Sequence, residues 1–412
     1  MQLIGAVLFA LALLHTFSAK YFERLALRQP RHAGLLHLLG EVEVVFGFWA
    51  FVLIACMAIL YGGDMAVAYA ESRQFTEPLF VFVVMVVAAS HPCIDLVRRT
   101  VNLLAHWLPM PTRIAQVWLG LTLMPLTGSL ITEPAAMTLA ALTLAPQIFK
   151  PQVPEWLKYG ALGVLFVNVS IGGTLTSWAA PPILMVAHTW HWDSLFVLQN
   201  LGWKAALAVL INASVITFLL KRHIGSPNLE RERPVPLPVS LIHLAFLAGI
   251  VTLSHHPVLF LGLFMGFLGY TQAYNKHQSP LILKEGLMVG FFLAGLVVLG
   301  GMQQWWLQPI ISSLSPGALF VGAVALTAIT DNAALTYLGS LIVGLTPIAK
   351  LMLVAGSVAG GGLTVIANAP NPAGAALLKN GFRDQSIGAL ELFLGAALPT
   401  LVASLLLVAD LL

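Results

Sequence analysis

Two stretches of this 412-residue chain can be laid over one another: "ITEPAAMTLAAL" at residues 131–142 and "ITDNAALTYLGSL" at residues 329–341. Thr132, Glu133, Ala135, Ala136 and Thr138 match Thr330, Asp331, Ala333, Ala334 and Thr336, at an offset of 198 residues. A second pair follows in the same order. "GGTLTSWAAPP" at 172–182 and "GGGLTVIANAPNP" at 360–372 each carry Gly-Gly-x-Leu-Thr ahead of Ala-Pro. Two motifs repeated in one order divide the chain into two related halves.

The solvent of those halves follows from composition. Hydrophobic residues make up 58% of the chain and charged residues 9%, and the mean hydropathy is +0.89. The apolar runs are continuous and rich in Leu, Ala, Val and Gly, without the alternation of a membrane β-barrel, so the sequence reads as a polytopic all-α membrane protein. Cys56 and Cys93 lie apart, with no CxxC or Cys/His cluster, and read as packing residues. Residues 2–17 resemble a signal-peptide core but lack a small-residue cleavage pattern, and read as the first span.

Further spans are predicted near 33–60, 78–97, 156–190 and 194–220, then near 239–254, 257–271, 281–300, 348–380 and 388–411. Between the halves lies a polar, proline-containing linker at 221–238, "KRHIGSPNLERERPVPLP". Two more runs, 113–149 and 317–346, carry an acid near the middle and read as re-entrant hairpins. The predicted organisation is an N-terminal repeat over 1–220, a cytoplasmic linker and a C-terminal repeat over 239–412. Each half has about five spans plus a hairpin, counting its broken helix (156–190, 348–380) as a span. An odd number of spans makes the two repeats inverted in topology. With the N-terminus outside, all of the 20 basic residues except Arg73, Lys204 and Lys350 fall on the inner side. That orientation depends on reading "SHHP" at 254–257 as a turn between two spans.

Glycine frees the backbone and proline removes a donor, so Gly172, Gly173, Pro181 and Pro182 in one half, and Gly360, Gly361, Gly362 and Pro370 in the other, unwind a helix within the membrane. Unwound backbone is tolerated there only inside protein or beside a water-filled cavity. Broken helices paired across an inverted repeat point to a transporter's substrate site. Ordinary glycine-mediated helix packing is the bland alternative for either break alone.

At these motifs the chain resembles the ion transporter superfamily, which includes divalent-anion/sodium symporters, arsenite exporters and sodium/proton antiporters. "ITEPAAMT" and "ITDNAALT" occupy its hairpin-tip positions, and the two glycine-rich stretches its broken-helix positions. It looks most like the sodium/proton antiporter family of that group. The dicarboxylate symporters carry a Ser-Asn-Thr tip, whereas these tips carry Glu133 and Asp331, and Pro181-Pro182-Ile183 lacks the expected Asn. Both departures weaken an anion reading.

A carboxylate at a helix centre costs roughly 2.5–3.5 kcal/mol on insertion scales, which makes an intramembrane acid a functional candidate. Asp331 is the stronger candidate by sequence, because Pro134 makes a simple helix start plausible at Glu133. An apolar surrounding tightens a carboxyl group's hold on its proton and a bound cation loosens it. Such a group can therefore exchange one for the other. Hydroxyls of Thr132, Thr330, Thr176 and Thr364, side-chain oxygens of Asn332, Asn368 and Asn371, and carbonyls freed at the breaks are ligands suited to sodium, a hard cation.

Lys204 is a possible charge partner for an intramembrane carboxylate, or snorkels along its span. His91 is a possible pH sensor or a packed residue beside Pro92. His37 and Glu41, four apart, are placed at an entrance. "HTWHWD" at 188–193 has spacing that invites a metal but a position that favours an aromatic belt. The expected function is sodium/proton exchange across a bacterial inner membrane, with a periplasmic N-terminus. Small cations and the bilayer are the expected partners, with a homodimer possible, no nucleic acid, and no cofactor beyond the transported Na+ and H+. The alternatives are a sodium- or proton-coupled transporter of dicarboxylates or oxyanions, a passive channel, and a membrane-embedded enzyme. For the last there is no HExxH, paired-aspartate or GxSG signature.

Overall fold

The computed structural model describes residues 1–16, 18–224 and 235–411, without the side chains of Ala19, Lys20, Glu23, Arg24, Leu27, Pro30, His37, Val42, Glu43 and Asp384. Every regular element among the described residues is helical. Val44–Tyr61, Ser194–Leu220, Leu283–Gly300 and Ala389–Val408 are long and apolar enough to cross a membrane. Two bent pairs raise the number to six: Thr76–Ala88 with His91–Trp107, at 62°, and Thr112–Leu121 with Leu123–Ile131, at 43°. The chain is thus a multi-pass helical membrane protein, with shorter apolar helices where the sequence predicts further full spans.

The shortfall has local causes. The run at 78–97 bends at Ser90, where Pro92 opens the second helix and cannot donate to the turn before it. The run at 33–60 is interrupted at Glu41, between Ala33–Gly40 and Val42–Tyr61. "SHHP" is a turn between antiparallel neighbours: the rings of Phe246 and Phe267 lie 5.7 Å apart, and those of His243 and Tyr270 5.5 Å apart. Of the linker, 225–234 lies outside the described residues. The chain that follows is held where Val235 N donates to Asp95 (3.3 Å) and Arg99 donates to Val235 O (2.6 Å).

Both glycine-rich stretches interrupt helices. Glu155–Gly172 ends in a short 3-10 turn, passes through extended backbone at Thr176, and helix resumes at Pro181–Trp190. Pro347–Gly360 likewise gives way to irregular backbone until Asn371–Leu378. Close approach accounts for the glycines: a Cβ on Gly172 would sit 2.6 Å from Pro125 O, and one on Gly362 would collide with the Val167 backbone. The run at 113–149 folds as three helices, with the last beginning at Glu133, and the run at 317–346 as Pro316–Thr327 and Asn332–Ser340.

The halves then interlock reciprocally. The helix opened by Glu133 packs on Asn371–Leu378, where a Cβ on Gly374 would sit 2.6 Å from Met137 Sδ. The helix capped by Asp331 packs on Pro181–Trp190. The first arms meet where Ser170 Oγ donates to Val358 O at 2.7 Å.

Gly163 and Gly395 bring Glu155–Gly172 and Ala389–Val408 into backbone contact, and a Cβ on either would collide with the opposite main chain. Gly163→Leu is therefore expected to overpack this seam at a cost of about 1–3 kcal/mol. Thermal unfolding in detergent should register a lower midpoint. A midpoint equal to wild type would mean that the seam is loose.

Candidate functional site

Glu133 has no exposed surface. The turn that places it runs through Thr132, at φ 71° and ψ 152°. This region favours glycine, and a β-branched residue held there stores strain of order 1–3 kcal/mol, a pattern found at functional sites. Pro134 then starts the helix without needing a donor partner. Glu133 Oε2 accepts from Asn368 Nδ2 at 2.8 Å, and Oε1 has no hydrogen-bond partner. Gly173 faces that free oxygen, since a Cβ there would lie 2.6 Å from it. The turn at Thr132 and both helix breaks therefore meet at one carboxyl group.

Asp331 is placed differently. Its Oδ1 accepts from Ala333 N (2.8 Å) and Ala334 N (3.2 Å), so it caps the helix Asn332–Ser340. It is half-buried and borders two small cavities. One, of about 30 Å³, is shared with Asn368, Pro372 and Phe292; the other, of about 20 Å³, with Thr330, Phe46 and Phe292. Each has room for about one water. The Asp331 charge is within electrostatic reach of Glu133. Sequence gives Asp331 the greater weight, but burial is deeper at Glu133.

Around the pair, polar side chains present oxygens with no donor. Thr132 Oγ1, Glu133 Oε1, Asn332 Oδ1, Asn368 Oδ1 and Asn371 Oδ1 are all buried and unpartnered. The other ends of the amides are engaged: Asn371 Nδ2 donates to Gly361 O (2.8 Å) and Thr364 O (2.9 Å), and Asn332 Nδ2 to Ser170 Oγ (3.4 Å). Asn332 N donates to Ala367 O at 3.1 Å, next to Asn368. Leaving a buried acceptor unmet costs about 1–3 kcal/mol. Five such oxygens lie on Glu133, its neighbour Thr132 and three asparagines of the C-terminal half.

The remaining predicted threonines are spoken for. Thr176 Oγ1 donates to Ser129 O and Thr364 Oγ1 to Ala328 O, both at 2.8 Å, so each ties its break to the helix end just before the acid of its own half. Thr330 Oγ1 donates to Leu326 O at 2.9 Å. Gly360, Gly361 and Gly362 line the second break, as Gly172 and Gly173 do the first, and Pro181, Pro182 and Pro370 stand at the starts of the second arms. Sequence reading missed Ser129 and Ser170. Ser129 Oγ donates to Gly172 O (2.7 Å) and accepts from Leu175 N (2.9 Å). Its signal was available, because the offset of 198 places Thr327 opposite it.

Lys204 is buried but its partner is Asp410, beyond the end of the last helix, and the site carboxylates are not involved. His91 Nδ1 lies 3.3 Å from His277 O. The His37 side chain lies outside the described residues, and Glu41 lies 3.4 Å from Lys284. Among the described residues no group of three His, Cys, Asp or Glu is placed to hold a metal ion.

Interrupted apolar helices close around a buried carboxyl group in a multi-pass membrane protein. Over residues 1–409 the chain matches the family described as "Putative Na+/H+ antiporter", and it belongs to that family. No curated protein matches it.

The hydrogen bond from the Lys204 ammonium holds the Asp410 carboxyl below the usual carboxylate range. A depressed carboxyl pKa stabilises the fold above the unfolded value, about 3.9, and this contribution is lost as pH falls through the folded value. The partners are unequal, with Lys204 buried and Asp410 largely exposed. Asp410→Asn, which strands a buried ammonium, should therefore lower the unfolding midpoint more than Lys204→Met. Equal losses in a melting assay at pH 7 would show that the ammonium is not desolvated.

Proposed function

We propose that this protein exchanges sodium for protons, and that Glu133 is the group for which the two ions compete. The carrying observation is the unpartnered Glu133 Oε1 among unpartnered oxygens of Thr132, Asn332, Asn368 and Asn371. A hard cation satisfies such a set with oxygen ligands and cancels the carboxylate's charge. A proton neutralises the carboxyl equally well and gives the free oxygen an O–H. A bare carboxylate does neither, and its burial is costly. Reorientation with either ion bound, and none with the site bare, gives obligatory exchange.

Asp331 serves in this scheme as the wetter partner. It borders the cavity that also reaches Asn368, and its negative charge acts on Glu133. The reciprocal packing of each tip helix on the other half's broken helix supports the inverted repeat and its re-entrant tips, which let one half rock against the other. We place the protein in a bacterial inner membrane, and the distribution of basic residues supports a periplasmic N-terminus. Anion transport would call for a cation at the site, and the buried Lys204 is engaged by Asp410.

Everted vesicles carrying a pH-sensitive dye test the proposal. Added sodium should dissipate a preformed proton gradient with wild type, fail to do so with Glu133→Gln, and do so more weakly with Asp331→Asn. A sodium response in Glu133→Gln equal to wild type would move the exchange chemistry elsewhere.

A further inference from the structure

We propose that the cavity of about 400 Å³ bordered by Glu77, Ser177, Trp178, His188, Asp193 and His255 is the outer entrance through which a hydrated alkali cation reaches Glu133, and that its imidazoles set its charge. The inference rests on the sodium/proton exchange reading and adds a route and a means of control. The walls come from the start of Thr76–Ala88, the end of Pro181–Trp190 and the turn after it, and the turn before Pro257–Ala273. Each of these lies where the basic-residue distribution places the outer face. At about 30 Å³ per water, the space admits a sodium ion with its first hydration shell.

The floor joins the cavity to the carboxyl group. Ser177 and Trp178 follow Thr176, whose hydroxyl holds Ser129 O, and four residues before Ser177 stands Gly173, against Glu133 Oε1. Along the chain, only the unwound stretch 173–177 lies between the carboxyl group and the cavity lining. Its outer edge is fastened where Ser177 N and Oγ each lie 3.1 Å from Ser194 Oγ.

Two carboxylates, Glu77 and Asp193, and three imidazoles, His188, His191 and His255, line this space. The rings of His188 and His255 lie 5.6 Å apart, and Lys350 sits behind the wall over the Trp190 ring at 5.2 Å. All three histidines are exposed. With imidazoles neutral, the lining carries two negative charges and concentrates cations; with all three protonated it carries one net positive charge and repels them. This absorbs the "HTWHWD" motif, which the exchange site leaves unused.

Labelling and transport test the two parts. In a Cys56→Ser, Cys93→Ser background, Ser177→Cys should react with a cationic, membrane-impermeant methanethiosulfonate in right-side-out vesicles and not in everted ones, at a rate slowed by sodium. Ser194→Cys serves if Ser177→Cys does not fold. Reaction from the inner side, or none in either variant, overturns the entrance. The apparent KM for outer sodium should rise from pH 8 to pH 6, and His188→Gln, His191→Gln and His255→Gln together should shrink that rise at least threefold. An unchanged rise overturns the control by imidazoles. Absence of sodium-coupled proton movement in the wild type would instead count against the exchange reading itself.

Discussion

The hydrogen bond between Asn368 Nδ2 and Glu133 Oε2 joins residues 235 apart in sequence and lies wholly inside the protein. It satisfies one oxygen of a carboxyl group that has no exposed surface and leaves the other unmet. The surrounding architecture keeps that group buried and half-satisfied. The Gly173 position must lack a Cβ for the free oxygen to fit, and the second helix must unwind for Asn368 to reach the first half. The strained backbone at Thr132 is the local cost of aiming the side chain there.

The two halves carry related motifs but use them unequally. Asp331 takes two backbone N–H groups and borders small cavities, while Glu133 takes one side-chain N–H and faces a glycine. The threonines of the two breaks do the same work in both halves, holding the tip carbonyls Ser129 O and Ala328 O. Common scaffolding with divergent acids fits the proposal that Glu133 exchanges ions while Asp331 acts on its field.

Much of this was legible in the sequence because it is local or repeated. The paired acids, the glycines and the prolines follow from composition and an offset of 198 residues. What was not legible depends on three-dimensional crossing. Nothing near Glu133 in sequence announces Asn368, and nothing near Lys204 announces Asp410. The deeper burial of Glu133 was hidden because Pro134, read as a plain helix start, is one, and the carboxyl is buried regardless. The bend at Ser90 was lost inside a hydrophobic run, where hydropathy outweighs a single Pro92.

The central claim is that one proton leaves when sodium binds at Glu133. Purified protein in a weakly buffered detergent solution with a pH indicator tests it without any transport step. Sodium added to wild type should release protons in saturable fashion, with no release on adding choline, and Glu133→Gln should release none. Equal release from Glu133→Gln, or none from a wild type that binds sodium by calorimetry, would contradict the account.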